Sequence, residues 1–475
     1  MLLAMPMFAA ASASAQVVGS EPVRPAQRAE ARAGASGPVA THGEPQMLYL
    51  LDLVKEIDRP GRGTPLPAVR DRIARAVLVH PEVGAALAAQ RGAEAATREA
   101  QSGWLPSIGA TVEVAHRRAD ANTRLNVPEY RYETGNTSLN LRQSVYDFGA
   151  TRAAVAASRE REAAIAARVD NRKADLALRS VQAWLDVYRS RRLLTLAQLN
   201  VQAREAMVSF LTQRQELGGG PVSDVWRAQS RLAEARAAIA ASQARVQSSE
   251  SVYRELFGMD PESEVDVPAL PEFDRVAVAA AIADMARDFP AVRSAAAAQR
   301  AAEFDRDALH ARTLPQVGLE ANVLRRDLVG RGKAGNEYNV ALVLRYSFYA
   351  GGADTARDAQ AAERVVEASE QTRNVMQQVE RSLAQAIAED ASTHAVLAAR
   401  RDGVTLAVDA MRAVREQFAA RRGSLLDMLT AQEIVNAAGV ALVDAEVEQA
   451  LDRWRVLYLS TGLVQLFHAH GGPAR

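Results

Sequence analysis

Two short stretches decide the fold of this chain: GPVSDVWRAQ at residues 220–229 and GSLLDMLTAQ at residues 423–432. Both have the pattern Gly-x-x-x-Asp-x-x-x-Ala-Gln. In each copy an alanine-rich helical pattern leads into the glycine, and a second helical pattern begins at or just after the aspartate. Each stretch is therefore predicted to be the bend of a helical hairpin, and the chain is predicted to contain two such hairpins.

The spacing between the two copies is kept elsewhere in the chain. Tyr146 of VYDFGATRA and Tyr349 of FYAGGADTA are as far apart as Gly220 and Gly423. Two proline-containing pairs further upstream repeat at a slightly longer offset: His80-Pro81 with Phe289-Pro290, and Leu105-Pro106 with Leu314-Pro315. The sequence is therefore a unit of roughly 200 residues that has been duplicated.

The composition excludes several classes of function. Lys plus Arg and Asp plus Glu are equal at 57 each, so no basic surface indicates a nucleic-acid partner. The chain has no cysteine, which removes thiol catalysis, Cys-ligated zinc and disulfides. The seven histidines have no ligand spacing with carboxylates, and no nucleophile–base–acid arrangement is found. We therefore predict a protein that is not an enzyme, with no catalytic residues, cofactor or metal.

The N-terminus has the pattern of an export signal. MLLAMPMFAAASASAQ is apolar and rich in small residues, and Ala13-Ser14-Ala15 has the A-x-A form of a signal-peptidase site. We expect a signal peptide at 1–15. The following segment, 16–65, is rich in Ala, Pro, Gly and Arg and is predicted to be flexible.

In each repeat the helical period changes to strict alternation after the Leu-Pro pair. Strands are predicted at about 106–117, 135–146, 315–325 and 338–348, each with one apolar side. Each is long enough to cross a bilayer as a tilted strand. A soluble two-layer sheet with one wet face is the alternative that the strands alone leave open. Because four strands cannot close a barrel, spanning a membrane would require several chains to pool their strands.

The helices favour the membrane interpretation. No proline or glycine occurs between Gly149 and Gly218, and one continuous helix of that length would extend about 100 Å. Leu178, Val181 and Leu185 form an apolar stripe at coiled-coil spacing. An ordinary globular domain does not need helices of this length.

These patterns give the domain organisation. The first repeat is predicted at 66–258, with its tip at 217–224, and the second at 276–467, with its tip at 420–427. A proline- and acid-rich connector, 259–275, joins them, and 468–475 is a tail. The fold class is α+β, with two tandem helix-strand-strand-helix-helix repeats.

At VYDFGATRAAVAASR, FYAGGADTARDAQAA and the two tip stretches, the chain resembles the TolC family of outer-membrane channels. The resemblance implies a homotrimer in which three chains pool four strands each into a twelve-stranded β-barrel, continued by a long α-helical coiled-coil barrel. It implies an outer-membrane location extending into the periplasm, contact with outer-membrane lipid, and passive export together with a periplasmic adaptor protein and an inner-membrane ABC transporter.

The resemblance also implies a site at the tips, where the family's tunnel closes. Asp427 matches the first of two aspartates that ring the pore in the family, and Thr430 stands where the second would be. Phe418, with Arg421 or Arg422, stands near the places of a tyrosine and an arginine that lock the closed state. The tip turns carry Gly220 and Gly423. The residues alone are consistent with helix caps at both aspartates. We interpret Asp224 as a helix cap, and Asp427 as either a cap or the pore ligand that the resemblance implies.

The YDFG and YAGG junctions resemble the type I protein secretion branch of the family more than the drug-efflux branch. We therefore expect an exit duct for type I secretion, with a multidrug efflux channel as the alternative. A periplasmic adaptor or a coiled-coil structural protein is the alternative of another class.

Overall fold

The computed structural model describes residues 66–119, 130–268, 273–326, 335–420 and 422–460. The predicted signal peptide at 1–15, the segment 16–65, the tail 468–475 and Arg421 lie outside these residues. The elements of the first repeat are α1 (Leu66–Val79), α2 (Pro81–Gln101), β1 (Ser107–Ala119), β2 (Tyr130–Tyr146), α3 (Ala150–Glu216) and α4 (Val222–Phe257). Those of the second are α5 (Arg275–Ala280), α6 (Ile282–Asp288), α7 (Pro290–Arg312), β3 (Gln316–Arg326), β4 (Gly335–Arg345), α8 (Ala353–Ala419) and α9 (Leu425–Leu459).

The repeated prolines mark helix starts. Pro81 is the first residue of α2 and Pro290 the first residue of α7. Proline suits this position because the N–H that it lacks would have no partner inside the helix. His80 precedes α2, and its ring nitrogen accepts a hydrogen bond from the N–H of Glu82 at 3.3 Å.

The four strands form one antiparallel sheet in the order β1-β2-β3-β4. The register aligns the alternating apolar residues across all four strands. One row is Ile108, Leu141, Ala321 and Val340, and the next is Ala110, Leu139, Val323 and Tyr338. The opposite face carries a row of Asn140, Asn322 and Asn339. The sheet therefore has one apolar and one polar face.

The strand boundaries differ from the sequence pattern most clearly in β2 and β4, and β4 begins at Gly335, ahead of the predicted start at 338. β2 begins at Tyr130, ahead of the predicted start at 135, because it pairs with the full length of β1. β4 ends at Arg345, so the predicted strand end at 348 is wrong. Arg345 pairs with Gln316, the first residue of β3, so within the described sheet β4 has no partner beyond it. Tyr346 and Phe348 instead contact each other edge to face, with ring centroids 4.6 Å apart.

The two long helices are the largest elements. α3 and α8 contain 67 residues each, which corresponds to about 100 Å of helix. α4 runs back beside the tip-side half of α3, where Arg236 pairs with Glu205 at 2.8 Å. α2 lies beside the other half, where Thr97 donates to Glu162 at 2.7 Å. Together α2 and α4 cover the length of α3.

The two repeats pack against each other along α3. On its strand-side half α3 contacts α7, where Arg300 pairs with Glu160 at 2.8 Å. On the tip-side half it contacts α9, where Arg189 pairs with Asp444 at 2.8 Å. A buried cluster around Trp184, Tyr253 and Trp454 unites α1, α3, α4 and α9.

The connector is held on this body by side chains of both repeats. Trp184 of α3 donates its indole N–H to the carbonyl of Asp266 at 2.9 Å. Arg275 at the start of α5 pairs at 2.7 Å with the fully buried Asp390 of α8. The short helices α5 and α6 follow and lead into α7.

Among the residues that the structure describes, one helix is long and apolar enough, by length and composition alone, to cross a membrane. This is α9, whose most apolar window has a mean hydropathy of 1.2 and is 44% buried. A core helix of a soluble protein passes the same test of length and composition. The apolar residues of α9 pack on α3 and α8, as those of a core helix do.

Candidate functional site

The two hairpin tips are built by different turns. In the first, Gly218 has a φ of 74°, and the N–H of Gly219 donates to the carbonyl of Arg214 at 2.8 Å. In the second, the N–H groups of Arg422 and Gly423 both donate to the carbonyl of Gln417, at 2.9 and 3.1 Å. Gly220 lies in the first turn and Gly423 in the second, as predicted, but the atoms that surround the two glycines differ.

The backbone approaches Gly423 far more closely than Gly220. A Cβ atom at Gly423 would lie 3.1 Å from the backbone nitrogen of Phe418, which is tighter than ordinary contact. A Cβ at Gly220 would meet only the side chain of Arg214, at 3.8 Å. Close packing therefore favours glycine at position 423, whereas no backbone contact demands it at position 220; in the first turn the left-handed backbone of Gly218 is what favours glycine.

Asp427 completes a reciprocal cap at the start of α9. Its backbone N–H donates to Oγ of Ser424 at 3.1 Å, and its carboxylate accepts from the N–H and the hydroxyl of Ser424 at 3.2 and 2.7 Å. Such a box satisfies donors that a helix start otherwise leaves unpaired. The carboxylate is nevertheless exposed, and the exposed Thr430 lies one turn further along α9.

The interpretation of Asp224 as the helix cap of α4 is wrong. The N-cap residue is Pro221, and no side-chain cap hydrogen bond is made there. Proline has neither a hydroxyl to accept a bond nor an N–H to donate one, so Asp224 cannot form the box that Asp427 forms. Asp224 is half-buried in the first turn of α4, where its charge still complements the helix dipole.

Phe418 joins the two hairpins. Its ring lies edge to face against Phe210 of α3, with centroids 6.2 Å apart, and the guanidinium carbon of Arg214 lies 5.7 Å from its centroid. Arg214 also donates from Nε to the carbonyl of Gly219 at 2.8 Å. Of the two arginines predicted to act with Phe418, Arg422 is exposed and Arg421 lies outside the described residues. The described arginine that stacks on Phe418 comes from the first hairpin.

A shared apolar core lies behind these contacts. It unites Leu211 of α3, Val225 of α4, Met411 of α8 and Met428 of α9. Arg204 of α3, only 5% exposed, reaches across to Glu433 of α9 at 2.6 Å. The two tips therefore form one packed unit within a single chain.

Two features of this site were missed by the sequence reasoning. Ser424 could have been found, because Ser-x-x-Asp before an apolar run is a capping-box pattern. The positions of Phe210 and Arg214 against Phe418 carry no local signal, since the contact joins residues about 200 positions apart.

A second special region connects the sheet to the long helices. Asp147 of YDFG accepts from the N–H groups of Gly149 and Thr151 at 3.1 and 2.8 Å and so caps α3. Phe148 and Gly149 have φ angles of 52° and 89°, and Gly351 and Gly352 have 64° and 84° in the second copy. Both junctions thus use two successive left-handed residues to turn from strand to helix, which explains the glycines of YAGG.

The sequence matches the profile of the outer membrane efflux protein (OEP) family over residues 73–258 and 283–463. The two matched ranges correspond to the two repeats and together cover most of the chain. The chain belongs to the outer membrane efflux protein family. The resemblance to TolC-type channels is thereby confirmed, and an identity as a periplasmic adaptor or a coiled-coil structural protein is wrong.

The chain is also similar to a curated protein and to several solved structures. The chain is 27% identical over 363 residues to the outer membrane efflux protein BepC of Brucella suis biovar 1 (strain 1330), an alignment that covers 75% of this chain and 77% of BepC. Among solved structures, the outer-membrane channel OprN matches with a TM-score of 0.74 and 19% identity, covering 86% of this chain and 91% of that one. The outer membrane protein VceC of Vibrio cholerae matches with a TM-score of 0.71 and 19% identity, covering 83% and 96%.

OEP membership gives the coarse function and location. The protein is an outer-membrane channel, and its fold of two repeats with paired strands and long helices is the one predicted. The structural matches, all below 25% identity, support the fold alone.

Proposed function

We propose that three copies of this chain form an exit duct that crosses the outer membrane and extends through the periplasm. One observation carries the proposal. In the sheet that the structure describes, β1 and β4 each pair with a single neighbour, so one edge of each is open. Open strand edges are not stable in lipid, because their N–H and C=O groups have no water to bind. Three sheets joined edge to edge would close a twelve-stranded barrel.

The two faces of the sheet suit such a barrel. Ile108, Val112, Leu342 and Leu344 lie on the apolar face, and each is 66–69% exposed in the single chain. On the polar face, Glu320 lies 3.8 Å from Arg142 and pairs with Arg345. We assign the apolar face to outer-membrane lipid and the polar face to a water-filled lumen.

In this arrangement α3, α8 and the helices that cover them form the periplasmic tunnel. The two tips of each chain lie at its far end. Three copies of Asp427, with Thr430 one turn further, would surround the mouth. Phe418, stacked between Phe210 and Arg214, would hold the second hairpin against the first in the closed state.

We propose export of small molecules with a periplasmic adaptor and an inner-membrane pump. The efflux function that the name of BepC records supports this cargo. Type I protein secretion with an ABC transporter is the second candidate, and the YDFG and YAGG junctions favour it.

Two experiments test the function. The purified protein in mild detergent is expected to have the mass of a trimer by light scattering and to open conducting pores in planar bilayers. A monodisperse monomer with native strand content would contradict the duct. For the cargo, deletion of the gene should raise sensitivity to toxic compounds if efflux is correct, and should remove a protein from the culture medium if type I secretion is correct.

A further inference from the structure

A cavity of about 770 Å³ lies among four helices on the strand-side half of the molecule. It is bordered by α2, α3, α7 and α8. These helices form a row, since α3 packs on both α2 and α7, and α7 packs on α8. A cavity that touches every helix of such a row requires the row to curve around it. The cavity therefore lies on the inner face of the row.

Three arginines line this cavity. Arg168 is held at the wall by a bond from Nε to Oγ of Ser294 at 3.3 Å. Arg364 of α8 is exposed and has no ion pair among the residues that the structure describes. Both guanidinium groups are therefore available to pair with an anionic ligand.

The third arginine, Arg172, is only weakly neutralised. Its nearest acid is Glu82, at 3.9 Å. Arg179 already holds that carboxylate through two bonds of 3.1 and 2.6 Å.

Two acids line the cavity, and they are not equivalent. Asp175 accepts hydrogen bonds from Nδ2 of Asn171, at 3.2 Å, and from the hydroxyl of Tyr458. Each of its oxygens thus accepts one hydrogen bond from the protein, and its charge is included in the balance of the cavity. Glu367 is exposed and lies one turn after Arg364 on α8, so its negative charge reduces the attraction of the arginines for an anion. The charge of the cavity is positive overall.

The remainder of the wall is mostly apolar. Ile165 and Val169 of α3, Ala295 and Ala298 of α7, and Val375 of α8 border the cavity. Apolar walls with a few fixed polar groups are typical of sites that bind small molecules.

We propose that this cavity binds anionic amphiphiles, meaning molecules with an apolar ring system next to a carboxylate, sulfonate or phosphate. The apolar part would lie against the alanine and valine surface, and the anion would face Arg168, Arg172 and Arg364. That the cavity is a stage on an export path rests on the proposed function. Binding itself does not.

The probes are 1-naphthalenesulfonate and 1-naphthylmethylammonium, which share a ring system and carry opposite charges. Binding to the full-length protein in detergent is measured by equilibrium dialysis. The sulfonate is expected to bind more tightly than the ammonium. Equal binding of the two probes, or binding of neither, would overturn the proposal.

Matched variants locate the site. Arg364→Gln is expected to weaken sulfonate binding about two- to fivefold, the range of an exposed charge pair. Glu367→Gln should strengthen it, because the opposing charge is removed. Arg381→Gln, an exposed arginine of the same helix outside the cavity, should leave it unchanged. If Arg381→Gln has the same effect as Arg364→Gln, or if Glu367→Gln weakens binding, the anion does not bind here.

Bilayer currents separate this proposal from the proposed duct. Weakened sulfonate binding in Arg364→Gln with normal pores supports the cavity and the duct together. A wild-type protein that binds the sulfonate but opens no pores would contradict the duct and leave the cavity in place.

Discussion

At the scale of single residues, Asp427 has a structural role at the tip, and the pore role is the one proposed above. Its carboxylate closes the capping box with Ser424, yet it stays exposed at the tip. Asp224, its counterpart in the first repeat, has only an electrostatic role at the start of α4. The duplication therefore preserved the residue while the preceding residues, Pro221 and Ser424, gave it different surroundings.

Substitution of Asp427 separates the two tasks. Asp427→Asn retains an oxygen that can accept from Ser424, so stability should change by only a few tenths of a kcal/mol. If three such carboxylates ring the mouth, the variant should lose cation selectivity, because carboxylate rings attract cations. The measurement is the reversal potential in planar bilayers under a salt gradient.

Ser424→Ala is the matched control. It removes the cap but keeps the charge, so it should lower stability by about 0.5–2 kcal/mol and leave the reversal potential unchanged. An unchanged reversal potential in Asp427→Asn would eliminate the pore role and leave the aspartate as a capping residue.

The strand-to-helix junction offers a second residue-scale test. Gly352 has a φ of 84° and open space around its Cα, so Gly352→Ala adds strain without a clash. We expect it to cost about 1–2 kcal/mol. Gly403→Ala, inside α8 and equally unobstructed, should instead stabilise by about 0.5–1 kcal/mol. Chemical denaturation of the two variants checks the sign, and equal effects would exclude backbone strain at the junction.

At the scale of elements, the two faces of the sheet should respond differently to charge. Leu342 lies on the apolar face and Asn322 on the polar face. Leu342→Arg should cost about 2–4 kcal/mol if it meets lipid near mid-membrane, whereas Asn322→Arg should be tolerated in a wet lumen. The yield of assembled protein in outer-membrane fractions measures the difference. Similar yields from the two variants would make the assignment of faces wrong.

The contact between α3 and α9 contains a carboxyl group whose protonation is coupled to stability. Burial raises the pKa of Glu446 above its ordinary value, although it accepts a hydrogen bond from Tyr188 at 3.2 Å. Arg192 of α3 and Arg401 of α8 lower the pKa, and Asp266 of the connector raises it. The net result is that the folded protein favours the protonated form.

This sign gives a pH-dependent prediction. Because the pKa of Glu446 is higher in the folded protein than in the unfolded chain, its charged carboxylate destabilises the fold at pH values above the folded pKa. This penalty disappears as the pH falls below the pKa of the unfolded chain. Glu446→Gln should therefore melt at a higher temperature than the wild type at pH 7, and the difference should shrink toward pH 4.5. A difference that grows as the pH falls would contradict the assignment.

The sequence predicted the elements better than their ends. Alternation and the absence of proline located all four strands and both long helices, because these periods extend over many residues. It could not place the end of β4, since that end is set by where β3 begins and not by the apolar Tyr346 and Phe348. The short helices α5 and α6 lie next to a proline-rich connector, and their few residues carry too little periodicity to be recognised.

At the scale of the whole molecule, the duplication was readable from the sequence and the pairing of the repeats was not. A fixed offset between tip stretches reveals two equivalent units. The contact of Phe418 with Phe210 and Arg214, and the ion pair of Arg204 with Glu433, depend on how the two units lie side by side. Those contacts also distinguish the two hairpins, since both arginines come from the first and both of their partners from the second.

The central claim is that open edges of three sheets join to close one barrel. Because the chain has no cysteine, engineered pairs report this contact alone. Val112→Cys on β1 is combined in turn with Tyr338→Cys, Val340→Cys and Leu342→Cys on β4, which scans the unknown register between chains. Val112→Cys with Leu319→Cys is the control, since β3 already has a neighbour on each side.

The decisive measurement is the size of the products after mild oxidation in the outer membrane, separated under denaturing conditions without reductant. The account predicts that at least one β1–β4 pair gives covalent dimers and trimers, that the ladder stops at three chains, and that the control gives monomers. A ladder that continues beyond three chains, or monomers from every β1–β4 pair, would contradict it.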